Sequence, residues 1–319
     1  RMPLAEIFMV AGFILAAYAV VSNDSIQTLG TFLASNARRP WWQLWVFSSS
    51  VLVAVLVYGW IANSGDPAYG RLEKFPPPPN GIQWIHALAP FVLLVLTRFG
   101  VPVSTTFLVL TVFAPSNIES MLMKSAMGYL VAFVVAVVVY RFVIRGVTAY
   151  FHRTREERFP FYWVIMQWAA TGFLWSQWLI QDLANIFVVL PRELDLVWLL
   201  AAVAMLLAMQ GVIFYQFGGR IQHIVTSKTM TADIRAATIV DLIYGSVLLV
   251  FKEWSNMPMS TTWVFLGLLA GRELAMALQL KERSLGATWQ LIGLDAGKAF
   301  VGLVVSLLLA YVAMSIGAV

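Results

Sequence analysis

The sequence predicts an all-α integral membrane protein of about ten transmembrane helices, laid out as two inverted repeats with broken or re-entrant helices. Three observations carry that reading. Apolar stretches long enough for a bilayer recur along the whole chain, two unlike polar motifs occur twice in the same order, and the loop charge bias reverses between the halves. Of 319 residues, 60% are hydrophobic and only 12% charged, with a mean hydropathy of +0.79, outside the balance of soluble domains. Leu4–Val21, Trp42–Ile61, Gly128–Ile144, Leu194–Phe214 and Ala299–Ile316 come near or exceed the ~20 residues that cross a hydrocarbon core. The lipid bilayer is therefore the expected solvent, the cell membrane the expected location, and no soluble domain is left over.

The first apolar stretch lacks the small-residue cleavage pattern of a secretory signal and runs into Ser22-Asn23-Asp24-Ser25, so it reads as part of the mature chain. Cysteine is absent and the three histidines, His86, His152 and His223, lie far apart. That removes disulfides, thiolate metal sites and cysteine nucleophiles. The net charge of +5 comes from basic residues in loops between spans, where it reports orientation rather than nucleic-acid binding. The thirteen tryptophans, with Trp41-Trp42 beside Arg38-Arg39, read as aromatic belts at the membrane surface.

The repeat is carried by Asn23-Asp24-Ser25-Ile26-Gln27 followed by Pro102-Val103-Ser104-Thr105-Thr106, and again by Gln181-Asp182-Leu183-Ala184-Asn185 followed by Pro258-Met259-Ser260-Thr261-Thr262. Asp24 and Pro102 are 78 positions apart, Asp182 and Pro258 76. Two unlike motifs at matching separation indicate a duplication. Lys and Arg accumulate on the cytoplasmic side. Arg38-Arg39 follow the first motif, whereas Arg192, Glu193 and Asp195 occupy the matching place in the second half. Loop 63–81 balances Asp66 and Glu73 against Arg71 and Lys74, while 219–236 carries Arg220, Lys228 and Arg235 against Asp233. The reversal predicts inverted halves. Five crossings in each put Arg38-Arg39, Arg145–Arg158, 219–236 and Lys281–Arg283 inside and both termini outside. The expected division is a first repeat over 1–146, a cytoplasmic linker over 147–160 and a second repeat over 161–319. Pro115-Ser116-Asn117 interrupts the first Ser-Thr segment, which could therefore be a re-entrant hairpin rather than a crossing.

An aspartate in hydrocarbon costs roughly 2.5–3.5 kcal/mol on insertion scales, so one in each half at the same place needs a reason. Asn23 and Gln27 around Asp24, and Gln181 and Asn185 around Asp182, bring amide and carboxylate oxygens together as a shell for a hard cation. A helix broken there would add backbone carbonyls. The alternative is that each aspartate caps a helix break. In Pro-x-Ser-Thr-Thr the proline suits a first helical turn, and the hydroxyls fall around its free N–H groups, making a seat for an oxyanion without a buried Lys or Arg. The alternative is a capped helix start with hydroxyls bonded to their own backbone. Glu119 and Glu273 follow the two Ser-Thr motifs and could serve a proton path or, as Glu119 with Lys124, a helix-end salt bridge. Asp241, Asp295 and Lys298 read as packing or interfacial residues.

At these motifs the chain resembles the PiT-type inorganic phosphate transporters, sodium- or proton-coupled phosphate or sulfate permeases. Their duplicated G-A-N-D-V-A-N signature, often followed by x-F-G-T, and their P-V-S-T-T-H segment are matched by Asn23-Asp24, Gly30-Thr31 and Pro102-Val103-Ser104-Thr105-Thr106, then by Asp182, Ala184-Asn185, Pro258 and Ser260-Thr261-Thr262. The chain departs at Val21-Ser22, Gln27, Gln181, and at Phe107 and Trp263 where the family has histidine. The resemblance implies inverted repeats and a phosphate or sulfate substrate in a divergent member.

The expected function is thus secondary active transport, a Na+- or H+-coupled symport of a small inorganic anion, phosphate first. The alternatives are a sulfate or other oxyanion permease of the same fold and an anion channel. Asn23, Asp24, Gln27, Gln181, Asp182 and Asn185 are the expected cation residues, with Asp24 and Asp182 on Na+ if coupling is to sodium. Ser104, Thr105, Thr106, Ser260, Thr261 and Thr262 are the expected anion residues. No nucleophile–base pair or metal cluster marks an enzyme, no cofactor is expected beyond the coupling ion, and a homodimer is a compatible assembly.

Overall fold

In a computed structural model of the chain, the described residues are 4–99, 101, 103–143, 160–218, 233–280 and 284–319. The first half contains α1 (Leu4–Ala19) and α2 (Ser25–Ser35), joined without a break by a π-helical turn at Val20–Asp24. It continues with α3 (Trp41–Ala62), α4 (Trp84–Arg98), the short α5 (Thr105–Leu110) and α6 (Ile118–Val138). The second contains α7 (Tyr162–Phe187), α8 (Leu196–Tyr215), α9 (Ile234–Trp254), α10 (Thr261–Leu280) and α11 (Leu285–Ser315). With α1 and α2 taken as one rod, each half has five helices among the described residues, none of which lies in a strand.

Helix is the outcome that hydrocarbon demands, because it satisfies every backbone group within the segment. Seven helical stretches among the described residues are long and apolar enough to span: Leu4–Ser35, Trp41–Ala62, Pro115–Phe142, Leu196–Tyr215, Ile234–Trp254, Thr261–Leu278 and Leu285–Ser315. The chain is a multi-pass membrane protein. α7, at 26 residues, has the length but carries Gln167, Gln177, Gln181, Asp182 and Asn185, all buried. α4 has 15 residues. The expectation of about ten helices with a broken or re-entrant segment is met, and the short segment is α5, whose six residues reach only ~9 Å at the helical rise. This segment is the re-entrant one.

Contacts between chain ends fix the directions of the helices. The peptide N–H of Leu194 donates to the Gly65 carbonyl at 2.9 Å and the Trp60 indole to the Leu194 carbonyl at 2.7 Å, so loops 63–83 and 188–195 share one face. Ala5 meets Gly81 on that face, and Asn80 donates to the Gly317 carbonyl. Both termini of the described chain therefore lie there too. On the opposite face Asn36 bonds Gln167 and Trp168, and Trp41 meets Tyr215. The α1–α2 rod thus runs from the first face to the second, while its counterpart α7 runs back, as inverted repeats require. Packing follows the same exchange: α4 lies along α1 as α9 lies along α7, and α6 lies against α10 as α5 lies against α11. The expected linker 147–160, apart from Pro160, and the basic segments 145–158, 219–232 and Lys281–Arg283 lie outside the described residues, as do His152 and His223.

Not all the tryptophans are belt residues. Trp175 and Trp178 are buried in α7 and stacked at 5.0 Å, and the Trp175 indole donates to the Ser48 carbonyl at 2.9 Å. Between spans buried on both sides, a tryptophan serves as core filling with one satisfied donor.

Two predictions arise here. In this cysteine-free chain, Asn80→Cys and Arg38→Cys are expected to react with an impermeant thiol reagent from opposite sides of the membrane; labelling of both from one side would remove the assigned faces. The second concerns Gly267 and Gly271, where α10 rests on the backbone of α6. A Cβ at Gly267 would stand 2.2 Å from the Tyr129 carbonyl oxygen, and one at Gly271 2.3 Å from that of Phe133. Small residues four apart let helix backbones approach where lipid supplies no hydrophobic drive between helices. Gly267→Ala is expected to destabilise the protein by about 1–3 kcal/mol through overpacking, read as lower thermal stability in detergent. Gly286→Ala, with nothing within 4 Å, should leave it unchanged.

Candidate functional site

The two carboxylate motifs and the two hydroxyl motifs, written far apart in the chain, converge. The π-turn at Val20–Asp24 inserts one residue into the rod, so that Ser25 N–H reaches the Val20 carbonyl and the local ladder is shifted around Asn23 and Asp24. Such insertions recur at functional sites. α7 passes through Gln181–Asn185 unbroken and ends at Phe187. The expected helix break is therefore a π-turn in one half and a helix end in the other.

Asp24 accepts a short hydrogen bond from the Thr105 hydroxyl, and the Thr261 side chain lies beside the Asp182 carboxylate. Each carboxylate thus meets the middle hydroxyl of its own half's second motif. The halves are then tied together. Asn185 donates to Asp182 at 2.7 Å and to Thr106 at 3.2 Å, and Thr106 donates to the Met259 carbonyl at 3.1 Å. Asp24 and Asp182 are both buried in this cluster. Ser104 and Ser260 accept from the N–H groups of Phe107 and Trp263, each at 3.2 Å, as helix caps do. Thr262 is buried in the first turn of α10. Asn23 donates to Thr97 at 3.1 Å and Gln181 to the Leu248 carbonyl at 3.2 Å. Gln27 is the half-buried one of the twelve.

Three acceptors of this cluster have no donor: Asp182 Oδ2, Asn185 Oδ1 and Gln181 Oε1, all buried. A buried polar oxygen with nothing to bond is costly. Phe107 and Trp263, which directly follow the two Ser-Thr-Thr segments, pack on each other at 5.3 Å with rings at 64°. The two rings are therefore one contact between the halves.

The structure adds Tyr244 to the site and gives residues noted in the sequence partners that the sequence did not suggest. Tyr244 of α9 donates to the Thr261 carbonyl at 3.1 Å. Lys124 does not pair with Glu119, which is exposed; it is buried and donates to the carbonyls of Ser255 and Met257 at 2.7 and 2.8 Å. Glu273 pairs with Arg272 at 3.2 Å. Asp241 is more than packing: it accepts from Thr31 at 2.6 Å and Thr171 at 2.5 Å, and Thr171 continues through Gln167 to Asn36. This buried network joins α2, α7 and α9 on the Arg38-Arg39 side of the cluster. Only Lys124 and Asp241 left a signal in the sequence, as charges inside apolar runs.

No protein-family model matches the chain, and no curated protein gives a significant match. Among solved structures it is similar to one described as the sodium-dependent phosphate transporter, with 15% identical residues, a TM-score of 0.62, and coverage of 99% of this chain and 98% of that one. The two share their fold from end to end.

Proposed function

We propose that the chain is a divergent PiT-type secondary carrier that moves a small inorganic oxyanion, phosphate first, together with Na+ or H+. The observation that carries this is the buried pair Asp24 and Asp182, each beside the middle hydroxyl of its own half's Ser-Thr-Thr segment, with undonated oxygens at Asp182 and Asn185. Such a cluster calls for positive charge, and its seat between two inverted halves is where alternating-access carriers hold their ions. The described similarity to a sodium-dependent phosphate transporter supports the same choice.

In this reading the coupling cation binds at Asp182, Asn185 and Asp24, with the Thr105 and Thr261 hydroxyls beside it. The anion then meets the first turn of α10, whose N–H groups and Thr262 hydroxyl face an oxyanion with the positive end of a 20-residue helix behind them. Cation and anion favour each other's binding because each offsets the other's charge in a low-dielectric site. A channel has no need of two buried carboxylates, and that favours a carrier over a pore.

The deciding measurement is uptake of labelled phosphate, sulfate and bicarbonate into proteoliposomes. Accumulation above equilibrium in the presence of an inward Na+ or pH gradient is expected for phosphate. Flux that only equilibrates, whatever the gradient, would identify a channel.

A further inference from the structure

Above the second hydroxyl motif, on the face shared by loops 63–83 and 188–195, a cleft of about 60 Å³ is lined by Gly70, Arg71, Glu73, Lys74, Ser255–Met257 and Pro258. Its lining residues Glu73, Lys74 and Asn256 are exposed, so it opens to water, and its lining includes the proline that begins the motif. Arg71 in its wall is 2% exposed. A buried guanidinium has five donors to satisfy, yet Nη1 reaches only the Asn256 carbonyl at 3.5 Å and Nε has no partner. No carboxylate lies within ion-pairing distance of it among the described residues. Burial pushes its pKa down to about 10, with Asp182 and Glu253 acting at longer range to hold the charge. Lys124, the other buried cation nearby, lies close enough to repel it and bonds the carbonyls on either side of Asn256. Arg71 and Lys74 outweigh Glu73, and Arg71 still has donors to give.

We propose that Arg71 is the ligand of an outer anion site in this cleft, which takes a tetrahedral oxyanion from solution and stands directly above the first turn of α10. A planar fork of N–H donors matches two oxygens of such an ion, and the residues of the inner cluster supply no cation of their own. The direction of travel, from this site to the inner seat, rests on the carrier reading; the site itself does not. Arg71 thereby sets capture, whereas Asp24 and Asp182 set coupling.

The test uses the full chain in phosphatidylcholine liposomes, with Asn256→Cys at the rim as the sole cysteine. Inorganic phosphate or sulfate is expected to slow thiol labelling at position 256 relative to chloride at equal ionic strength, and R71Q should abolish that protection. In uptake, R71Q is expected to raise the half-saturating phosphate concentration by about tenfold or more, the worth of one charge-assisted bond, with the maximal rate little changed; R71K should recover part of the loss. Absence of protection with Arg71 present, or equal protection in R71Q, would overturn the site. Protection that requires an added anionic lipid would overturn it as a site for a free ion. If Arg71 served only as a distant counter-charge to Asp182, R71Q would shift the cation dependence and leave labelling unprotected in both backgrounds. Protection without any anion uptake by the unmodified chain would retain the site and remove the carrier reading.

Discussion

Asp24→Asn and Asp182→Asn are expected to insert and fold, and to lose gradient-driven uptake almost completely. Asn keeps the shape and the ability to accept a hydrogen bond, so the Thr105 hydroxyl retains an oxygen to meet at position 24. What disappears is the negative charge that stabilises a desolvated cation, for which a neutral amide offers only a dipole. Removal of one carboxylate also removes a charge buried away from water, which is costly to keep, so thermal stability should hold or rise while transport fails. A helix-capping role predicts the reverse, since Asn caps about as well as Asp. Uptake under an imposed Na+ or pH gradient separates the two, and rates like those of the unmodified chain in both variants would end the symport proposal.

Thr105→Val and Thr261→Val carry the second large effect. Each removes one hydroxyl beside a buried carboxylate at nearly constant volume. A hydrogen bond to a charged group is worth about 1.5–3 kcal/mol, so the cation held at that carboxylate should bind about ten- to a hundredfold more weakly. Because each ion offsets the other's charge in the proposed site, the half-saturating phosphate concentration should rise in the same variants. Unaltered affinity for both ions would leave these threonines as ordinary first-turn residues.

The membrane class, the duplication and the reversal of the halves were legible in the sequence because each is a one-dimensional pattern. Apolar length, motif spacing and loop charge all survive without coordinates. Asp24 and Asp182 were legible for the same reason, each a charge where hydrocarbon tolerates none, repeated at matching positions. The hydroxyl motifs were legible as helix starts, and Ser104 and Ser260 do cap theirs. Arg71 was not. In the chain it stands among Asp66, Glu73 and Lys74 in a loop of balanced charge, and nothing local separates a solvated arginine from a buried one.

Other features needed the third dimension outright. The ties from Asn185 to Thr106 and from Thr106 to Met259 cross between halves, and no spacing rule along one half predicts which hydroxyl turns inward. The same holds for Lys124, whose partners follow it by more than a hundred residues, and for Asp241, bound by Thr31 and Thr171 from separate helices. Whether α5 crosses or turns back was decided by its neighbours: six helical residues are marginal alone and stand only because α4 and α11 pack around them. What the sequence determined by itself is the solvent, the repeat and the charges that must be accounted for. Which charges meet, and which buried donors are left facing water, depends on helix packing between distant segments, and only the tertiary structure decided it.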